Sequence, residues 1–126
     1  MIYSYDERKI GNAFGEDLYQ QSFLIDRNDE TVYIDDTVEF PEVKNFINAE
    51  VYVMDSQTPI SDSGETNKSP LNTYNSSSQK GLYDLYDYGN DTTHNANMTF
   101  TFGTAYTVTD YPYIFVTIQY TKKQTD

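Results

Sequence analysis

The chain has 126 residues, and 20 acidic against 8 basic side chains give it a formal charge of −12 and a pI near 4.2. That length supports one domain (residues 1–126) with one core. The absence of cysteine excludes a disulfide framework, zinc–thiolate and iron–sulfur sites and a thiol nucleophile, and the charge opposes nucleic acid and anionic membranes as partners.

Thirteen tyrosines and seven phenylalanines argue against disorder, because acidic disordered chains are poor in aromatic residues. In chain order, residues 18–25 (LYQQSFLI) read as a strand closed by the turn-like Asp26-Arg27-Asn28-Asp29. Residues 31–34 (TVYI) form a short candidate. Residues 37–40 (TVEF) form another, which Pro41 confines to an edge or an end. Residues 43–47 fit either a helical turn or a strand end, and 50–54 (EVYVM) read as a strand. Residues 55–80 are a long polar run of Ser, Thr, Asn, Asp, Gln and Pro, a length of loop that is functional, partner-bound or mobile. Residues 97–102 (NMTFTF) alternate with period 2, and 106–109 continue the pattern beyond Gly103. Residues 113–121 (YIFVTIQYT) are the strongest strand. The run starts without alternation and alternates after Val116, so its first half should be covered on both faces and its second half on one. The expected fold is all-β, a single β-sandwich or jelly-roll-like domain with a long polar loop.

Few residues point to chemistry. His94 is the sole histidine, in a loop-like run, which disfavours a transition-metal site and reads as an exposed loop side chain. The carboxylates Asp35-Asp36, Asp84, Asp87 and Asp91 could pair as in a glycosidase, but an acidic chain supplies many chance pairs. Residues 26–30 lack the glycine and terminal glutamate of a calcium loop. Gly11 and Gly15 are followed by Glu16 and Asp17, which repel phosphate. Four Asn-x-Ser/Thr sequons begin at Asn67, Asn75, Asn90 and Asn97, as chance predicts where asparagine is abundant. No enzymatic activity, cofactor or metal is expected. No apolar stretch approaches the roughly 20 residues of a membrane helix, and residues 1–7 carry no secretory signal pattern, so a soluble protein without membrane insertion is expected.

Two terminal segments stand out: Tyr3-Ser4-Tyr5-Asp6-Glu7-Arg8-Lys9-Ile10-Gly11 followed by Gly15-Glu16-Asp17-Leu18-Tyr19-Gln20, and the run from Tyr111 to Lys123. The first is similar to the Y-S-x-x-E-x-x-I-G and W-I-D-G-K-P-I-Y of a family of bacteriophage fibre and virion-surface proteins, and the second resembles that family's closing Y-V-T-V-x-Y-T-K, with Asp126 matching the last residue. Departures are a Gly11–Gly15 segment one residue short, Phe14 where Trp is usual, and Asp17 in place of Pro. The resemblance implies a β-sandwich, a homotrimer, other virion proteins as partners, a virion location and a role in attachment to a host surface glycan or receptor. Gly11 and Gly15 would permit tight turns. Tyr19 and Tyr120 would pack across strands, or stand as ordinary half-exposed strand residues. Leu71 and Tyr74 would anchor the polar loop at a subunit boundary, so these four are the candidate contact residues. Rival readings are a lectin-like carbohydrate-binding sandwich and an acidic inhibitor that mimics nucleic acid.

Overall fold

A computed structural model describes residues 3–59, 68–71 and 81–124. Its strands are β1 (Arg8–Ala13), β2 (Glu16–Asp26), β3 (Thr37–Phe40), β4 (Val43–Met54), β5 (Lys68–Pro70), β6 (Gly81–Tyr86), β7 (Ala96–Phe102) and β8 (Tyr113–Lys122). They form two antiparallel sheets, ordered β1-β2-β8-β4-β5 and β3-β7-β6, with no helix among the described residues. The fold is all-β and has the layering of a β-sandwich.

The largest sheet is built around β8, whose β-branched and aromatic residues favour an extended backbone. It is paired along its length, with β2 from Tyr19↔Tyr120 to Asp26↔Tyr113 and with β4 from Val43↔Lys122 to Met54↔Tyr113. Ile114, Val116, Ile118 and Tyr120 point inward and are buried, as are Val51 and Val53 on β4. Ala96, Met98 and Phe100 of β7 face them, flanked by Val38 and Phe40 of β3 and Tyr83 of β6. Each fully buried aliphatic or aromatic side chain contributes about 1.5–3 kcal/mol, so this layer dominates the favourable side of folding. β7 keeps the expected alternation and has one wet face. β3 ends at Phe40 on a sheet edge, where Pro41 removes no ladder bond.

β8 departs from expectation in its second half, since Thr117 (3% exposed) and Thr121 (2%) are buried on the outer face. A central strand has neighbours on both sides, and their side chains lean over it. Ser22 bonds Thr117 at 2.8 Å, and Gln119 donates to Gln20 at 3.1 Å.

Other differences have local causes. Residues 43–47 and 50–54 belong to one strand, because β4 carries irregularities at Val43/Asn45 and Phe46/Asn48 that break period 2. Asp87 fills the second, accepting the Phe46 amide at 3.0 Å. Residues 31–34 form a turn instead of a strand. Asp29 accepts the Thr31 amide and hydroxyl, and its carbonyl accepts the Val32 and Tyr33 amides. Asp35 and Asp36 then take positive φ (52° and 57°) in a tight reversal into β3. Residues 106–109 also turn. Arg27 holds this stretch, donating to the carbonyls of Tyr106 (3.0 Å) and Tyr111 (2.9 Å) while its guanidinium lies 4.0 Å above the Phe102 ring. Gly15 turns between β1 and β2 as expected, whereas Gly11 sits at a bulge within β1.

Within the polar run, β5 adds to the edge of β4, and Leu71 donates its amide to the Val51 carbonyl and enters the core. A Cβ on Gly81 would lie 2.5 Å from the Leu71 side chain, so that glycine makes the room Leu71 occupies. Residues 60–67 and 72–80, with Tyr74, lie outside the described residues.

Val116→Asp places an unpaired carboxylate in the middle of this core. It should lower the unfolding free energy by at least ~3 kcal/mol and the Tm by about 10 °C or more, whereas Thr101→Asp on the wet face of β7 should stay within about 0.5 kcal/mol. Calorimetry on both variants checks this, and an unchanged Tm for Val116→Asp would remove β8 from the core.

Candidate functional site

The outer face of the five-stranded sheet carries a cleft whose floor follows from strand register. Ser22, Thr117 and Glu50 lie in one row across β2, β8 and β4, and Leu24, Phe115 and Tyr52 lie in the next. One row is therefore polar and its neighbour apolar. Residues 3–5 pass along β2, where the Ser4 carbonyl accepts the Ser22 amide at 2.8 Å and the Tyr5 carbonyl accepts the Gln21 side-chain amide at 2.9 Å. The Tyr3 and Tyr5 rings come within 6.2 Å of the Phe115 ring, Tyr5 edge-on at 90°. Phe115 is consequently buried although it points away from the main core.

The cleft encloses about 470 Å³ between Tyr3, Tyr5, Tyr52 and Phe115, with Ser22 below and Lys68 and Pro59 at one end. The Lys68 ammonium donates to the Pro59 carbonyl. Tyr3 donates its hydroxyl to Glu50 at 2.6 Å. That hydrogen bond, with burial and the Glu50 charge, pushes the phenol up to about 12, so Tyr3 is a neutral donor at ordinary pH. Aromatic walls over a hydrogen-bonding floor can hold a ring or another flat, largely apolar group.

Of the candidate contact residues, Tyr19 and Tyr120 do oppose each other across β2 and β8, with ring centroids 6.0 Å apart. They face inward, however, and Tyr120 is 2% exposed. Its hydroxyl donates to Glu7, whose other oxygen is 2.9 Å from the Lys122 ammonium, and Lys122 stands 5.1 Å above the Tyr19 ring. Leu71, at 6% exposure, is likewise a core residue. Leu71 and Tyr120 thus pack in the core of their own domain, and Tyr19 is half-buried against it. A tyrosine on a terminal strand and an apolar residue in a polar run look like contact sites in sequence; only the register shows which way they point.

His94 is exposed. Asp91 Oδ2 and Thr93 Oγ1 both approach its Nδ1 at 3.0 Å, and its ring stacks on Tyr88 at 4.9 Å. A catalytic relay needs the two imidazole nitrogens to serve different partners, whereas these contacts share one. The loop is tied down further by Lys123, which donates to the carbonyls of Asp91 and His94. Hydrogen bonds from Thr93, then His94, hold the Asp91 carboxyl well below its ordinary value. Asp36 accepts the Tyr33 hydroxyl at 2.6 Å. No group of three or more potential metal ligands occurs among the described residues.

One exposed feature escaped sequence reasoning. Phe14 and Gly15 form the two-residue loop between Ala13 and Glu16, with φ of +52° and +83°. Positive φ at both positions is the geometry that favours Asn-Gly, and a phenylalanine there costs of order 1 kcal/mol in strain. Phe14 is nevertheless 94% exposed. The signal was available as an aromatic residue preceding glycine in a short reversal between polar segments.

Comparison with family models, with curated proteins and with solved structures returns no match.

The Glu7 cluster sets a pH dependence. Burial pulls the Glu7 carboxyl upward, but the Tyr120 hydroxyl and the Lys122 ammonium outweigh it and hold the group below its ordinary 4.5. A depressed carboxyl contributes stability that is complete above the unfolded value and is lost as pH falls through the folded one. Lys122 is raised by its bond to Glu7, and Tyr120 by burial and then Glu7, so their contributions persist to about 10 and are lost above. Glu7→Gln should therefore be less stable than the parent at pH 7, with the difference shrinking as pH drops below 4.5. Urea titrations from pH 7 to 3 measure this; a constant difference would contradict the charged pairing.

Proposed function

We propose that this chain is a non-enzymatic structural protein of a bacteriophage virion, of the fibre or capsid-decoration type, which assembles as a homotrimer and contributes to host-surface attachment. One observation carries the reading. The two terminal segments with the family's motifs are β1–β2 and β8, and β2 and β8 are hydrogen-bonded neighbours. Motifs nearly a chain length apart are thus parts of one structural unit, which supports a shared scaffold over a chance likeness of two strands. The aromatic-rich surface suits assembly, because Tyr and Phe bring large contact area at low conformational cost. The acidic charge is compatible with a protein whose partners are proteins or glycans.

The cleft favours a second reading, in which the sandwich binds carbohydrate. Exposed tyrosine rings beside a polar row are suited to stacking on a sugar face and bonding its hydroxyls.

Mass spectrometry of purified particles should find the chain at fixed stoichiometry, and light scattering at tens of micromolar should give three times the 14.6 kDa chain mass. Absence from particles would end the virion reading, and a glycan array with a saturable hit abolished by Tyr52→Ala would replace it with the second.

A further inference from the structure

We infer that Phe14 is an assembly knob that seats in the aromatic cleft of a neighbouring copy of this chain. The proposal goes beyond the virion reading, since it requires only that the chain associate with itself.

Two unsatisfied features carry it. Phe14 is the most exposed large apolar side chain among the described residues, at 94%, and it occupies a backbone geometry that disfavours it. A side chain that is both strained and fully wetted gains from a partner and offers its own domain nothing. The cleft is the converse: about 470 Å³ with walls of Tyr3, Tyr5, Tyr52 and Phe115. An apolar cavity of about 150 Å³ suffices for benzene, so the space accepts a phenyl ring and part of the hairpin tip. Edge-to-face contact with Phe115 and the three cleft tyrosines is an arrangement aromatic rings prefer.

Phe14 cannot fill the cleft of its own chain. Gly15 and Ser22 are on the same extended strand path, roughly 20 Å or more apart at about 3.4 Å per residue. Tip and cleft are therefore different patches, and joining them between copies is a head-to-tail contact that closes into a ring when the rotation permits. The angle between them sets the order of that ring.

Electrostatics permits the approach despite the charge of −12. Asn12, Ala13, Phe14 and Gly15 are uncharged, and the acids that follow are matched, Glu16 by Lys44 at 2.8 Å and Asp17 by Lys9 at 3.1 Å. Two of the chain's eight bases thus neutralise the base of this hairpin, and Lys68 stands at the cleft. The remaining acids repel at long range, so added salt should strengthen association.

The test uses sedimentation velocity from 10 to 300 µM in 0.1 and 0.5 M NaCl. The intact protein should associate, more tightly at the higher salt. Phe14→Asn should weaken association at least tenfold while its Tm stays equal or rises, because Asn-Gly suits the turn. Tyr5→Glu, altering a half-exposed ring of the cleft, should be as monomeric. Mixed one to one, the two variants should form a species of two chains, the intact tip of one entering the intact cleft of the other. An intact protein monomeric at 300 µM in 0.5 M salt would overturn the proposal, as would Phe14→Asn associating like its parent, or folded variants that do not complement. A ring of some order other than three would keep the contact and count against the trimer alone.

Discussion

The structure depends on covering β8 on both faces. Its residues from Ile114 to Ile118 are buried without interruption, which a strand with one wet face does not allow. The inner face is met by β3, β7 and β6. Among the described residues the outer face meets no second sheet, and the segment before β1 lies along β2 and lays Tyr3 and Tyr5 against Phe115. That cover is partial, and the cleft is the space it leaves. Scaffold and candidate site thus have one origin, the apolar residue Phe115 at an outward position of the central strand.

Scarcity of positive charge shapes the rest. Several bases tie distant parts of the chain together. Arg27 holds the turn before β8, Lys122 joins Glu7 to the last strand, and Lys123 ties the His94 loop to the chain end. Exposed ion pairs such as Lys9–Asp17 contribute little to stability, about 0–1 kcal/mol. Their effect is local: the acids at the base of the β1–β2 hairpin are balanced in charge.

The sheet centres were legible in the sequence because their residues obey a period. β8, β2, β3 and β7 are rich in β-branched or aromatic side chains and end at turn residues. β4 was seen as two pieces, since its irregularities between Val43 and Asn48 put Ile47 on the surface and Phe46 inward. β1 and β5 are short or polar edge strands held by backbone pairing that leaves no side-chain pattern. β6 is interrupted by Asp84 on its wet face. The Thr31–Ile34 run has β-forming residues, but Asp29 captures their amides first. As for the cleft, its walls come from residues 3–5, β4 and β8, and their meeting is a property of strand order, which one sequence does not state.

The central claim is that β8, covered on both faces, is the most stable element of the fold. Native-state amide hydrogen exchange tests it most directly, because fully cooperative amides exchange only through global unfolding. The account predicts that the amides of Ile114 to Tyr120 are the slowest in the chain and that their opening free energy equals the global value from denaturant titration. Faster exchange in β8 than in β7, or protection in β8 that falls well short of the global value, would contradict it.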